Sequence, residues 1–325
     1  MKTSANKSKP LSIYVHIPFC QNRCPYCDFE SSVGGDVGEY TDSLCAEIAA
    51  CKHDTSKHTV ETIYFGGGTP SFIPHRFIGR ILFAINSRFN ISDNPEITIE
   101  CNPCSLTEEK LVAYKNFGIN RVSIGVQSFS PRTLKILGRK HSVSTAKRAI
   151  KLARKHIENV SIDLIHSVPG GKLVLPKRYL RMLEHVSAYA LTSDNFPPYD
   201  EDKSVFEQNR VVKVLEQCGH KRYEVSNYAQ QKFQSKHNLC YWTCGEWLGF
   251  GRGAKSHFGE KWSDADRVML GLRLTDGVDE KLLSGRKKIV DDFVAQGLMI
   301  RHGKNIACTD RGMMVLNRIL VLLDI

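Results

Sequence analysis

Tyr14-Val15-His16-Ile17-Pro18-Phe19-Cys20-Gln21-Asn22-Arg23-Cys24-Pro25-Tyr26-Cys27 sets three cysteines at Cys-x3-Cys-x2-Cys spacing, directly after the short apolar run Ile13 to Ile17. A closed zinc site takes four ligands in paired spacings, and a disulfide framework takes an even set in a secreted chain. Three thiolates on one tight loop suit instead an iron–sulfur cluster with one iron left open for an outside ligand. The apolar run reads as a strand, so the cysteine loop sits at a strand's C-terminal end.

Further strand-like runs follow at Thr62–Phe65, Ile97–Ile99, Arg121–Ile124, Val160–Leu164 and Val186–Tyr189. Amphipathic helical patterns separate them near 39–52, 73–89, 107–117, 142–156 and 174–184; the third opens on a Thr107 cap with an acidic first turn. Strand–helix alternation predicts a parallel sheet with right-handed crossovers. Six units are too few for a closed eight-fold barrel and suit an α/β fold of the open, three-quarter (β/α)6 type. In such barrels the working face lies at the C-terminal strand ends. The cysteine loop, Gly66-Gly67-Gly68-Thr69-Pro70, Glu100, Gln127 and Asp163 all fall there.

From Asp264 the pattern changes to helix, helix, hairpin, helix, with the turn-prone His302-Gly303-Lys304-Asn305 between two short apolar runs and a last helix from Gly312 to Ile325. This predicts a small winged-helix-like domain over 264–325, after a tail at 1–10, a partial barrel at 11–200 and a connecting region at 201–263. Eleven cysteines, an odd number, in a chain whose first ten residues have no apolar signal core predict a reducing, cytoplasmic location. No transmembrane segment is expected. The net charge of +11 is spread, without a long basic block. Lys304, Arg311 and Arg318 make too thin a phosphate footprint for a nucleic-acid partner.

The cysteine spacing, with Tyr26 inside it, resembles the radical S-adenosylmethionine (SAM) superfamily, which implies a [4Fe–4S] cluster whose open iron chelates SAM. Val60-Glu61-Thr62-Ile63-Tyr64-Phe65-Gly66-Gly67-Gly68-Thr69-Pro70-Ser71, Val122-Ser123-Ile124-Gly125-Val126-Gln127-Ser128-Phe129 and Ser161-Ile162-Asp163-Leu164-Ile165 look like the oxygen-independent coproporphyrinogen oxidase family within it. The resemblance runs from about Ile13 to the C-terminus. It implies Cys20, Cys24 and Cys27 as cluster ligands, and SAM contacts from Tyr14, Tyr26, Gly67, Gly68, Thr69, Glu100, Gln127, Arg139 and Asp163.

That family divides into true dehydrogenases and heme chaperones. Dehydrogenases carry a further cysteine two residues after the third ligand, where this chain has Phe29, and a longer extension than the nineteen residues that precede Cys20 here. His237-Asn238-Leu239-Cys240-Tyr241-Trp242 matches the His-Asn-x-x-Tyr-Trp motif of the chaperone branch. The resemblance therefore implies heme as a third cofactor, with His237 as axial ligand, Asn238, Tyr241 and Trp242 beside it, and a heme-acceptor protein, membrane-associated or soluble, as partner. The alternative is a coproporphyrinogen III dehydrogenase, whose tetracarboxylate substrate the basic residues would suit. The segments after Val168-Pro169-Gly170, at Ser193 to Pro198 and between Trp262 and Val268 depart from the family pattern, all on the substrate side. Cys101-x2-Cys104 lacks a second pair and reads as incidental.

Overall fold

Alternation along each strand decides which side chains meet the helices and which meet the barrel interior. The computed structural model describes residues 8–325. In β1 (Lys9–Ile17), Leu11, Ile13, Val15 and Ile17 enter the main hydrophobic core, while Ser12, Tyr14 and His16 lie on the other face. The pattern repeats in β2 (His58–Gly67), β3 (Ile91–Cys101), β4 (Arg121–Gln127), β5 (Asn159–His166) and β6 (His185–Ala190). Ile63, Ile99, Val122, Ile162 and Val186 join that core. Tyr64, Glu100, Ser123, Asp163 and Ser187 take the alternate positions and face a common cavity.

The six strands are parallel neighbours in chain order. They are linked through α1 (Val37–Ala49), α2 (His75–Arg88), α3 (Glu108–Asn116), α4 (Pro131–Ile136) with α5 (Val143–His156), and α6 (Lys177–Leu180). Thr107 caps α3 as expected, its hydroxyl accepting the Lys110 N–H at 3.3 Å. Helix α6 is far shorter than the predicted 174–184, because Pro176 precedes its first residue and holds Leu175 out of helical conformation. This is the α/β architecture the strand–helix alternation predicts.

Two departures concern the sheet edges. Residues 1–7 of the expected tail lie outside the described residues; Lys9 and Pro10, also assigned to it, instead open β1, where the Lys9 N–H reaches the Lys57 carbonyl at 2.9 Å. The region expected only to connect supplies strands to both edges. After α7 (Glu201–Glu216), Lys221–Arg222 and Asn227–Ala229 add antiparallel strands beyond β6. After α8 (Lys236–Trp242), β7 (Glu246–Phe250) pairs in parallel with β1, Leu11 standing opposite Glu246. Six predicted parallel strands thus become seven in a nine-stranded sheet.

The last sixty residues carry their own core, with Val268, Leu272, Val290, Phe293, Ile306 and Ile319 buried together. Helices α9 (Asp264–Gly271) and α10 (Lys287–Ala295) precede the hairpin β8 (Met299–His302) and β9 (Asn305–Cys308), to which Val278–Asp279 adds a third strand. The expected single last helix is two, α11 (Asp310–Met314) and α12 (Leu316–Leu322), because Val315 at φ −120° breaks the helical path.

Glu96 on β3 ties the barrel to α8. Its carboxylate accepts the backbone N–H groups of Lys236 and His237, both at 3.1 Å. It also supports the buried Arg121: desolvation works against that charge, but Glu96 leads the groups that hold the guanidinium protonated. Glu96→Ala leaves a buried cation and a helix start without their partner. It should cost about 3 kcal/mol in urea unfolding, in line with breaking other buried charge partnerships.

Candidate active site

The C-terminal strand ends open into a cavity of about 1310 Å³. Roughly 300–1,000 Å³ is usual for a small-molecule site, so there is room for more than one ligand. One wall is the cysteine loop, pinned at its base where the Ser32 N–H donates to the Pro18 carbonyl at 2.8 Å. Cys20, Cys24 and Cys27 all line the cavity. Cys20 Sγ lies 3.5 Å from Thr69 Oγ1, and Arg139 Nη1 donates to Cys24 Sγ and to the Tyr26 hydroxyl, both at 3.4 Å. Arg139 is held in place by its Nη2 bond to the Gly125 carbonyl at 2.7 Å.

Beside the loop, the glycine turn after β2 brings bare backbone to the cavity. The Gly68 N–H donates to Ile17 O at 2.8 Å, and a Cβ on Gly68 would fall 2.8 Å from the Pro18 carbonyl. Gly67 has φ +107°, a conformation that glycine adopts without strain. Its N–H donates to Glu100 Oε2 at 3.2 Å, while the Tyr64 hydroxyl donates to Oε1 at 2.8 Å. Burial raises the Glu100 pKa to about 7, and the like charge of Asp163 adds to this; Tyr64, the Gly67 N–H and Arg121 oppose it. Asp163 is likewise raised by burial and accepts from Ser123 Oγ at 3.1 Å. Gln127, a non-glycine residue at φ +62°, ends β4 in the left-handed region, where such strain often marks a working position.

The donor set fits a cluster that needs three thiolates and an anionic ligand beside it. Three thiols share one loop with a guanidinium on Cys24, and the glycine turn packs so closely against the loop's base that a Cβ at Gly67 or Gly68 would strike His16 or Pro18. Among the described residues, no three His, Cys, Asp or Glu side chains converge on one ion-sized point. Cys101 is buried and directed at the Ile99 carbonyl, apart from the exposed Cys104, in keeping with an incidental pair.

Residues 14–172 match the family model described as the Radical SAM superfamily. The protein named Heme chaperone HemW of Escherichia coli K12 is 38% identical over 267 residues, covering 76% of this chain and 70% of its own. The HemW of Buchnera aphidicola from Acyrthosiphon pisum is 32% identical over 307 residues, covering 88% and 82%. This chain belongs to the HemW family. The coproporphyrinogen III oxidase HemN of E. coli, a solved structure, matches with a TM-score of 0.79 at 20% identity over 98% of this chain and 91% of that one, a likeness of fold. Membership of the radical-SAM superfamily implies a [4Fe–4S] cluster and SAM.

The fold brings twelve of the residues singled out above to one cavity: Cys20, Cys24, Cys27, Tyr26, Gly67, Gly68, Thr69, Glu100, Gln127, Arg139, Asp163 and Asn238. Tyr14 stands behind, its hydroxyl 3.1 Å from His16 Nδ1 and its ring stacked on Tyr64. The heme motif is the main departure. His237 is only 1% exposed, and both its ring nitrogens are engaged, Nδ1 with Thr62 Oγ1 at 2.7 Å and Nε2 with the Tyr241 hydroxyl at 2.8 Å. Neither His237, Tyr241 nor Trp242 lines the cavity. A sequence motif records which residues stand together but not which way they face, and here the imidazole turns into the barrel.

Several cavity residues were not foreseen. Tyr64, Ser123 and Ser187 follow from strict alternation on β2, β4 and β6, a signal present in the sequence. Arg273, Met314 and Arg318 reach the cavity from the C-terminal region, and no local pattern announces that.

Proposed function

We propose that this chain is a heme chaperone that holds a [4Fe–4S] cluster, SAM and heme and passes heme to an acceptor protein. The observation that carries the reading is its relationship, along most of both chains, to proteins named Heme chaperone HemW. Cys20, Cys24 and Cys27 would hold the cluster, with Arg139 balancing thiolate charge. The glycine turn and Thr69 would cradle the amino-acid end of SAM, and Glu100 would accept from its ammonium or a ribose hydroxyl. Gln127, Asp163 and Tyr26 complete that wall. When bound, the cluster supplies the electron for SAM chemistry; the protein's part is to orient the ligand and keep water away.

Heme would occupy the outer part of the cavity. Phe29, 59% exposed, and Phe72 stand on its cluster side and Val205 and Val315 on the other, all exposed apolar side chains. Arg23 and Arg318 line the same opening. An apolar rim with cations suits a flat macrocycle bearing two carboxylates. Among the described residues no histidine lines this cavity, and the donors available to iron there include the sulfurs of Met314 and Cys104.

The deciding experiment is a hemin titration of anaerobically reconstituted protein, followed at the Soret band, with coproporphyrinogen turnover assayed on the same sample. Saturation near one heme per chain without turnover supports the chaperone. Turnover without specific heme binding would return the dehydrogenase to first place. Arg318→Glu should weaken heme several-fold by reversing a charge at the opening, without altering SAM affinity.

A further inference from the structure

We propose that His237 is a positioning residue for the SAM cradle, acting through Tyr64 on Glu100, and is not the ligand of the heme iron. The inference rests on the reading of Glu100 as a SAM contact.

The hydrogen bonds around the imidazole leave no lone pair for iron. Thr62 spends its hydroxyl proton on Ser12 Oγ at 2.8 Å, so its oxygen accepts from His237 Nδ1–H. That tautomer leaves Nε2 as an acceptor, and the Tyr241 hydroxyl occupies it. Burial keeps the ring neutral, with a pKa lowered to about 3, and the nearby Arg121 charge works in the same direction. A porphyrin would have to break the Tyr241 bond and enter a space closed to solvent.

The face of the ring has a different neighbour. His237 stacks on Tyr64 with centroids 4.9 Å apart and planes at 25°. Tyr14 completes a cluster of three rings, 6.2 Å from Tyr64 and 6.4 Å from His237. Tyr64 thus packs against both rings, with His237 stacked on its face, and its hydroxyl donates to Glu100 Oε1 at 2.8 Å. Glu100 in turn receives the Gly67 N–H on its second oxygen. A continuous series of direct contacts therefore runs from α8 to the glycine turn. Glu96 anchors the start of α8 to β3, the strand that ends in Glu100 and Cys101. Within the motif, Asn238 alone meets the cavity, and Trp242 lies under the Arg273 guanidinium at 4.3 Å.

Two variants test this on cluster-reconstituted protein. Tyr64→Phe keeps the stack and removes the hydroxyl; His237→Ala removes the ring that stacks on Tyr64. Calorimetry with SAM should show affinity lowered about tenfold or more in Tyr64→Phe, the scale of a lost hydrogen bond to a charged group. His237→Ala should lower it similarly. In both, the change that SAM produces in the EPR spectrum of the reduced cluster should weaken in parallel, a readout that general loosening of the core would not move selectively. Hemin affinity and the Soret maximum should stay as in wild type. Loss of heme binding or a moved Soret band in His237→Ala, with SAM affinity retained, would overturn the proposal. Should His237→Ala fail to fold, unchanged SAM affinity in Tyr64→Phe overturns it alone. Wild-type protein that binds no SAM would instead remove the reading of the cradle, and this inference with it.

Discussion

Cys24→Ala is expected to purify as a folded chain whose iron and acid-labile sulfide stay at background after anaerobic reconstitution. The thiol is half-buried on a loop beside the cavity and its recorded partner is a guanidinium that keeps two other bonds. Its loss should move the melting temperature by no more than a few degrees, as is usual for substitutions outside the packed core. A cubane held at three corners cannot persist on two. Cys101→Ala is the control, since that thiol lies in the outer core beneath β3 and should leave iron content unchanged. Cluster retained in Cys24→Ala but lost in Cys101→Ala would reverse the ligand assignment.

The second large effect falls on Glu100. Glu100→Gln removes a charged acceptor that holds the Tyr64 hydroxyl and the Gly67 N–H and faces the cavity. SAM affinity should fall about 10- to 100-fold, the range for hydrogen bonds to a charged group. A pH dependence follows from the raised carboxyl, which titrates at about 7 because it is buried within the barrel. Wild-type SAM affinity should rise from pH 6 to pH 8 as the acceptor ionises, and the glutamine variant should lose that rise. Stability has the opposite sign. A carboxyl whose folded pKa lies above its unfolded value favours the native state at low pH, and that contribution disappears as pH climbs through 7. SAM-free Glu100→Gln should therefore melt higher than wild type at pH 8 and show little difference at pH 5. A variant that melts lower at both would show that the carboxylate is structural.

How much of this was legible follows from the range of each signal. The six barrel strands appear in the sequence because a strand with one face on the helices and the other in a polar cavity must alternate, as Ile97-Thr98-Ile99-Glu100 does. Cys20 to Cys27 and Gly66 to Gly68 are local strings whose spacing carries their chemistry. Strand β7 was missed because Glu246-Trp247-Leu248-Gly249-Phe250 sits between Gly245 and Gly251 and reads as a turn-rich link. Its strand conformation comes from the exposed edge of β1, a partner far away in the chain. The surroundings of His237 were hidden for a related reason: the family motif implied heme beside it, whereas the ring it meets in the fold is Tyr64, brought from β2. Met314 and Arg318 were invisible for want of any pattern tying α11 and α12 to the barrel mouth.

The first strand finds one of its two neighbours, β7, only at residues 246–250, and the cavity takes its last wall from residues 313–318. On the ribosome β1 therefore has an open edge until residues 246–250 emerge, and the cavity is not enclosed until residues 313–318 join it. Such long-range pairing folds slowly and exposes adhesive edges meanwhile. The site is thus assembled from segments distant in the chain, and enclosure of the cavity waits on the docking of residues 313–318.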